Sequence, residues 1–373
     1  MYNKVISTAP GKLILTGEHS VVYGKEALAC SLNLRTECTI QTLKDNFELC
    51  LEIPLLDLAT SFSIEDISQQ IHQNDVDPEE LFSSSLVFFS KYMAMFDVKV
   101  KQTAVHVLLF LFSGIALQHM KKNNVGMKVF ITSTLPIGCG LGSSAALAVA
   151  VASSLLVYCN LISENYWVEK DIMLINKWAY LCEKIIHGNP SGIDNAVSIF
   201  AFNKGDCISF KSGEINRIHC GIDMKVLIIN TGVSRNTKDI VTSVREKSEK
   251  FPMVYHSLFE TMDKVSTTFK NLLTVNADEE KNKSSYFEHL IDINQHLLEA
   301  IGVSHPVVNK VITICKKHGL HPKITGAGGG GCVYSLVTDI SQSVLDLIIN
   351  DIKEYDWWVT KLGGDGVKLI HAN

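Results

Sequence analysis

The sequence predicts a chain of mixed strands and helices in two domains, on three observations. Its 373 residues exceed one domain of ordinary size. Stretches in which apolar residues alternate with polar ones are interleaved with longer stretches of helical periodicity. Two glycine-rich loops, Gly138–Gly142 and Gly326–Gly331, punctuate the pattern, and a fresh apolar strand at Met224–Ile229 opens a second domain, giving a division into 1–223 and 224–373.

Composition narrows the class of protein. Hydrophobic residues make up 46% of the chain and charged residues 20%, the balance of a globular protein. A net charge of -5 and a pI near 6.2 supply no basic field. Nucleic acid is therefore not expected as a partner, and any anionic ligand must be held by local groups. The ten cysteines are scattered with no C-x-x-C pair, which suits buried reduced thiols in a reducing compartment. The N-terminal MYNKVISTAPGK carries no signal-peptide pattern, and the longest apolar run, Val105–Phe112, is short of the roughly 20 residues that span a bilayer. A cytoplasmic protein without a membrane segment is expected.

In chain order, Val5 and Ile6 begin a short strand, Pro10-Gly11 mark a turn, and Lys12 precedes the apolar Leu13–Leu15. Such a lysine is ordinarily solvated; at a phosphate site it supplies compact positive charge. Glu18 and His19 fall in a second glycine-flanked turn, where they either face a cleft or bond locally. Ala27–Ile53 alternates as a meander of antiparallel strands turning at Lys44-Asp45-Asn46. Helical patches follow over Ser63–His72 and Pro78–Phe96, then a buried helix over Lys101–Met120, and Gly126–Thr134 reads as the strand entering the first glycine-rich loop.

That loop, LPIGCGLGSSAALAVA over Leu135–Ala150, spaces Gly138, Gly140 and Gly142 so that the backbone can take positive φ and approach a ligand. Ser143 and Ser144 then open an alanine-rich helix running to about Tyr158. A glycine-rich turn feeding a helix gathers unpaired N–H groups at the positive end of the helix dipole, an arrangement suited to phosphate. Two common phosphate loops are excluded, because no lysine follows Gly142 and position 143 is serine rather than glycine. Taken alone, the run is equally an ordinary glycine turn with a serine cap.

A second long helix spans about Glu164–Ile186 and places Glu183 near its last turn, where a carboxylate opposes the dipole unless a cation compensates. HGNPSGIDNAVS, His187–Ser198, makes an irregular loop carrying Asp194, which is either a turn carboxylate or a general base for a hydroxyl. After the Met224–Ile229 strand, NTGVSRNTK offers Thr231, Arg235 and Thr237 as donors to a carboxylate or phosphate. Val241–Lys317 reads as helical with a polar break at Asn276–Ser285. In KITGAGGGGCV, Lys323–Val333, four consecutive glycines exclude a helix and bring bare backbone to a ligand or to the first loop. A strand, a helix over Ser341–Lys353 and a final strand close the chain.

APGKLILTGEH, PIGCGLGSSAA and KITGAGGGGC together resemble the three ordered motifs of the galactokinase, homoserine kinase, mevalonate kinase and phosphomevalonate kinase (GHMP) superfamily. GEHSVVYGK, INKWAYLCEKIIHGNPSGIDNAVS, NTGVSRNT and IDINQHLLEAIGVSH are similar to its mevalonate kinase branch, and the resemblance is weakest between about residues 40 and 105. It implies an α/β (α+β) fold in two domains: an N-terminal one like ribosomal protein S5 domain 2, with a left-handed β-α-β crossover, and a ferredoxin-like C-terminal one. It implies ATP-dependent, Mg²⁺-assisted phosphorylation of (R)-mevalonate at its 5-hydroxyl.

Carried onto matching positions, the resemblance assigns the ATP triphosphate to Lys12, Ser133, Gly138, Cys139, Gly140, Leu141, Gly142, Ser143 and Ser144, and magnesium to Ser144 and Glu183. Asp194 matches the base, and Lys12 the lysine between that base and the γ-phosphate. Glu18, His19, Arg235 and Thr237 match the mevalonate pocket, and Thr325, Gly326, Ala327, Gly328 and Gly329 a loop beside the phosphates. Family members often carry a nucleotide-contacting asparagine shortly after the proline that matches Pro54; here Leu55 follows, and that contact is unassigned. Homodimers and inhibition by isoprenoid diphosphates competing with ATP are common in the family. Two other readings keep the fold: a kinase of a sugar, homoserine or phosphomevalonate, or a ligand sensor. NTGVSRNT and HGNPSGIDNAV argue against the first, and the presence of Asp194, Lys12 and Glu183 against the second.

Overall fold

The computed structural model describes residues 2–44, 46–71, 77–188, 190–200, 205–219, 224–234, 236–274 and 283–373. The first strand, β1 (Lys4–Thr16), pairs antiparallel along nearly its whole length with β2 (Ala27–Leu43). Pro10-Gly11 is not the expected turn: β1 runs straight through it, and the register against β2 shifts between Pro10 and Lys12. Proline has no N–H for the ladder, so pairing lapses here without reversing the chain, and the extra residues fall on β2, where Ser31 to Arg35 faces Pro10 to Lys12.

The hairpin β3 (Glu48–Ile53) and β4 (Leu58–Ser63) does not continue the meander. The helices α1 (Ile64–Gln70), α2 (Pro78–Met93), α3 (Lys99–Leu111) and α4 (Leu117–Asn123) intervene, and β5 (Gly126–Ser133) then inserts between β2 and β3, antiparallel to one and parallel to the other. Alternation in sequence had shown which face each strand buries, not which strand lies beside it. The 17 residues of β2 divide their pairing: the C-terminal part meets β5, and Ala27–Cys30 meets β6 (Asp206–Lys211), which pairs in turn with β7 (Glu214–His219), a hairpin not expected from the sequence.

α5 (Ser143–Tyr158) lies against β1 and β2, with α6 (Glu169–His187) and α7 (Ile193–Phe200) beside it. From Ala148 to Tyr158 every α5 side chain is buried, which explains its unbroken run of small and apolar residues. α6 begins at Glu169, five residues later than its apolar pattern suggested, where Asp171 accepts from the Val168 N–H.

Residues 99–123 form one continuous helical rod interrupted by a π-turn over Phe112–Ala116. Within it a β-carbon on Gly114 would lie 2.2 Å from Trp178 Cη2 of α6, so only glycine lets that ring seat there. The rod is long and apolar enough to cross a membrane by composition, yet most of it is packed inside the first domain.

The second domain is built on a four-stranded antiparallel sheet. β8 (Lys225–Asn230) leads to α8 (Thr237–Lys250), α9 (Pro252–Thr274), α10 (Lys283–Ala300) and α11 (Pro306–Lys317). Most of the predicted polar break at Asn276–Ser285 lies outside the described residues. β9 (Lys323–Ile324), β10 (Cys332–Leu336), α12 (Gln342–Asp351) and β11 (Asp356–Lys361) complete it in the order β11-β8-β10-β9. The last strand, β12 (Lys368–Ala372), crosses back over the division at residue 224 and pairs with β1 at the edge of the first sheet.

Buried His106 on α3 bonds Ser85 at 2.9 Å, and burial pushes its pKa down to about 4. The imidazole is thus neutral in the folded protein while the unfolded chain protonates it near pH 6.5. The unfolded state binds more protons in that window, so stability must fall as pH drops from about 6.5 to about 4. Thermal melts across this range should show the fall, and His106→Gln should flatten part of it.

Candidate active site

The site is assembled on β1. Lys12 is buried on this strand, and its backbone N–H donates to Leu141 O at 2.8 Å, tying the strand to the first glycine-rich loop. Two glycines permit that approach. A β-carbon on Gly11 would stand 2.6 Å from Leu141 O, and one on Gly142 would stand 2.9 Å from Lys12 Cγ. Gly138, Gly140 and Gly142 all hold positive φ, between 73° and 79°. Gly142 is the N-cap of α5, so Ser143 and Ser144 occupy its first turn, as the spacing predicts. No side chain caps this helix, and its open N–H groups face the loop.

Against Lys12 stands Asp194, in the first turn of α7 rather than at a loop tip. Lys12 Nζ lies 3.1 Å from Asp194 Oδ1, with the lysine side chain 5% exposed and the carboxylate 32% exposed. A rigid helical mount fixes the carboxylate, and Ser198 one turn on donates to Pro10 O at 2.7 Å, locking α7 to β1. The acid is therefore open to a ligand on one side and held by a cation on the other.

Glu183 completes the cluster from α6. It is buried, and its pKa is pushed up to about 8 by burial first and by the negative charge of Asp194 second, while Ser144 and Lys12 pull the other way. Its Oε1 is shut off from solvent with no hydrogen-bond partner, and its Oε2 lies 3.6 Å from His187 Nε2. A carboxylate oxygen left in this state calls for a proton or a cation. The Ser144 hydroxyl is 3.3 Å from the same His187 nitrogen, so hydroxyl, imidazole and carboxylate converge beside the loop. His187 had no assigned role; its position four residues after Glu183, on the same helix face, was the available signal.

The second glycine-rich loop closes the site from the other domain. Thr325 Oγ1 bonds the backbone of Ile14 on β1, and Ala327 O bonds His19 Nε2 at 2.8 Å. Close approach requires bare backbone again: a β-carbon on Gly328 would lie 2.3 Å from Val303 O, and one on Gly330 would lie 2.6 Å from Val233 O. His19 itself has φ 61°, a conformation that costs a side-chain-bearing residue about 1–3 kcal/mol. Glu18 is turned under this surface, where its carboxylate bonds Lys323 and Asn294, two residues that the sequence reading passed over.

The chain matches the GHMP kinases N terminal domain over residues 109–202 and the GHMP kinases C terminal domain over residues 277–355. It is 33% identical to the mevalonate kinase of Mus musculus, covering 99% of this chain and 95% of that one. It is 35% identical to the mevalonate kinase of Arabidopsis thaliana, over 99% of this chain and all of that one. The chain belongs to the mevalonate kinase family. Its fold is similar to that of the L. major mevalonate kinase solved in complex with R-mevalonate, with a TM-score of 0.70 at 20% identity over 98% of this chain and 97% of that one.

For a member of the mevalonate kinase family, the remaining assigned residues divide. Ser133, at the end of β5, bonds Thr36 at 2.9 Å and accepts from the Leu135 N–H, so it shapes the entry to the first loop. It also lines a groove of about 430 Å³ with Thr8 and Arg35. Cys139 is buried, its Sγ bonded to Ile137 O. Thr237 is exposed at the start of α8, whose Ile240 comes within reach of a β-carbon on Gly329. Arg235 lies outside the described residues. Leu55 is exposed in a short turn between β3 and β4. An open groove of about 590 Å³ lined by Tyr166, Trp167 and β12 holds none of these groups. The converging polar groups define the site, and volume does not.

Gly142→Ala tests the close passage of loop and strand. The new β-carbon must push Lys12 aside and hold a positive φ, and displacement on the ångström scale lowers kcat by about 10²-fold in such sites. Kinase assays should show that loss, with a small drop in melting temperature beside it.

Proposed function

We propose that the chain transfers the γ-phosphoryl group of ATP to the 5-hydroxyl of (R)-mevalonate, giving 5-phosphomevalonate and ADP. The observation that carries this reading is the Lys12–Asp194 pair at 3.1 Å, set where the glycine-rich loop opens α5. Asp194 is the base: its exposed side accepts the hydroxyl proton while the alcohol oxygen attacks the γ-phosphorus. Lys12 steadies the developing alkoxide and offsets the charge of the phosphoryl group in flight. The backbone of Gly138–Ser144 and the N-terminus of α5 hold the triphosphate, and the bond from γ-phosphorus to the β–γ bridging oxygen breaks as ADP leaves.

Magnesium fits the residues beside it. Glu183 Oε1 lacks a partner in a buried position and Ser144 offers a hydroxyl, which is the sparse oxygen set that Mg²⁺ accepts when phosphates and water supply the rest. When bound there, the ion neutralises phosphate charge and relieves the buried carboxylate. We extend the reading to mevalonate recognition by His19, Arg235 and Thr237 and, on family resemblance alone, to a homodimer inhibited by isoprenoid diphosphates at the nucleotide site. Among the described residues seven cysteines are buried and scattered through the fold, which supports a reducing, cytoplasmic setting.

Coupled ADP release with Mg-ATP and (R)-mevalonate, run beside galactose, homoserine and 5-phosphomevalonate, tests the substrate; turnover is expected with mevalonate alone. Asp194→Ala should lower kcat by about 10²–10⁴-fold with little change in KM for ATP, and wild-type turnover in this variant would remove the base assignment. Glu183→Gln should raise the Mg²⁺ concentration giving half-maximal rate by about tenfold or more, a change equivalent to one lost charge contact. An unaltered Mg²⁺ titration would place the ion elsewhere.

A further inference from the structure

The turn that carries His19 is constrained far beyond the needs of a connection. Gly17 holds φ 91° with its α-hydrogen side against Ala27, where a β-carbon would lie 2.4 Å from Ala27 Cα. His19 has φ 61° and ψ -50°, and the Ser20 N–H donates back to Glu18 O at 2.7 Å. Together these describe the rare, strained form of the γ-turn, closed by an i to i+2 bond around a residue with a side chain. Such a turn persists only where its surroundings over-determine it.

The second domain supplies that over-determination. Glu18 Oε1 accepts from Lys323 Nζ and Oε2 accepts from Asn294 Nδ2 at 3.1 Å, with the Lys323 and Glu18 side chains 0% and 1% exposed. Lys323 Nζ also donates to Ile324 O at 2.7 Å and lies 5.2 Å from the centre of the Tyr334 ring. Both carboxylate oxygens are therefore engaged with β9 and α10, away from the cleft. One residue along the turn, His19 meets Ala327 O, and Ala327 lies four residues beyond Lys323. The same turn is thus fastened twice to the same stretch of the second domain, once by charge and once by the imidazole.

We propose that Lys323 is a positioning residue for the phosphoryl transfer: its buried ion pair with Glu18 holds the strained turn and so sets where the His19 imidazole stands on the alcohol side of the cleft. This rests on the kinase reading above, and it moves Glu18 from substrate contact to anchoring. A fully buried pair adds little stability over well-packed apolar neighbours, because desolvation offsets the attraction. What it adds is direction, since each oxygen has one partner and only one placement of the backbone satisfies both.

The test is a double-mutant cycle on the full chain: Glu18→Gln, Lys323→Met and the two together, each with a melting temperature, kcat, and KM for mevalonate and for ATP. Lys323→Met leaves a bare buried carboxylate and can fail to fold, whereas the double variant removes both charges and should melt near the wild type. Each variant that folds should raise KM for mevalonate by about tenfold while KM for ATP moves less than about twofold, and the double variant should match the worse single rather than multiply the two. Amide exchange at Ser20 should quicken in the double variant while its melting temperature holds. A folded double variant with wild-type KM for mevalonate overturns the proposal. So does a cycle in which Glu18→Gln acts alone and Lys323→Met is silent, which would return Glu18 to direct contact. A wild-type protein inactive on mevalonate overturns both this proposal and the functional reading beneath it.

Discussion

The working geometry depends on one backbone hydrogen bond, from the Lys12 N–H to Leu141 O. It fixes the level at which the lysine leaves β1 relative to the N-terminus of α5, so the cation that balances Asp194 and the N–H groups suited to phosphate share one frame. Glycines on both sides make it possible, Gly11 on the strand and Gly142 on the loop. Two residues further along β1, Ile14 exchanges bonds with Thr325, and Leu15 O accepts from Tyr334 at 3.0 Å. A single strand thereby holds the first glycine-rich loop and the second, which come from chain positions nearly 200 residues apart.

The boundary between the domains is unusually polar for a surface so well buried. Beyond the Glu18 contacts, Glu26 is buried and takes Lys270, Thr267 and Ser209, while its own N–H donates to Asp263 at 2.7 Å. Lys25 pairs with Glu260, and Tyr23 stacks on Phe259 with ring centres 4.1 Å apart. Glu18, Lys25 and Glu26 reach β9, α10 or α9, while His19 bonds Ala327 and the Tyr23 hydroxyl meets Ser248 on α8. The segment belongs to the first domain by sequence, yet its side chains are anchored in the second. Directional bonds of this kind specify one docking arrangement, where an apolar seam would tolerate several.

Much of this was legible in the residues. The glycine spacing before Ser143 foretold positive φ and a helix start, Glu183 at an unfavourable helix end marked a carboxylate in want of a partner, whose Oε1 is buried without a hydrogen bond, and four glycines after Ala327 foretold bare backbone in close approach. Local chemistry sufficed for each of these. The sequence did not show that β5 inserts between β2 and β3, because alternation reports a buried face and is blind to partners. It did not show that Pro10-Gly11 lies inside a strand, because the same dipeptide favours a turn when no neighbouring strand holds it extended. Lys323 escaped notice for a related reason: a lysine in a short strand reads as solvated until the carboxylate that meets it, 305 positions away, is known. His187 read as the first residue of an irregular loop, whereas it closes α6 and meets Ser144.

The return of β12 to the first sheet bears on how the cleft can open. The chain passes between the domains twice, once ahead of β8 and once between β11 and β12, and the second passage is stitched by Leu362 to Met224 O and Gly363 to Ser31 O. Because Leu362 bonds Met224, the two passages lie side by side and join the domains at one place rather than at two separated ones. An opening of the cleft must therefore either pivot on the Glu18, Lys25 and Glu26 bonds to the second domain or break them.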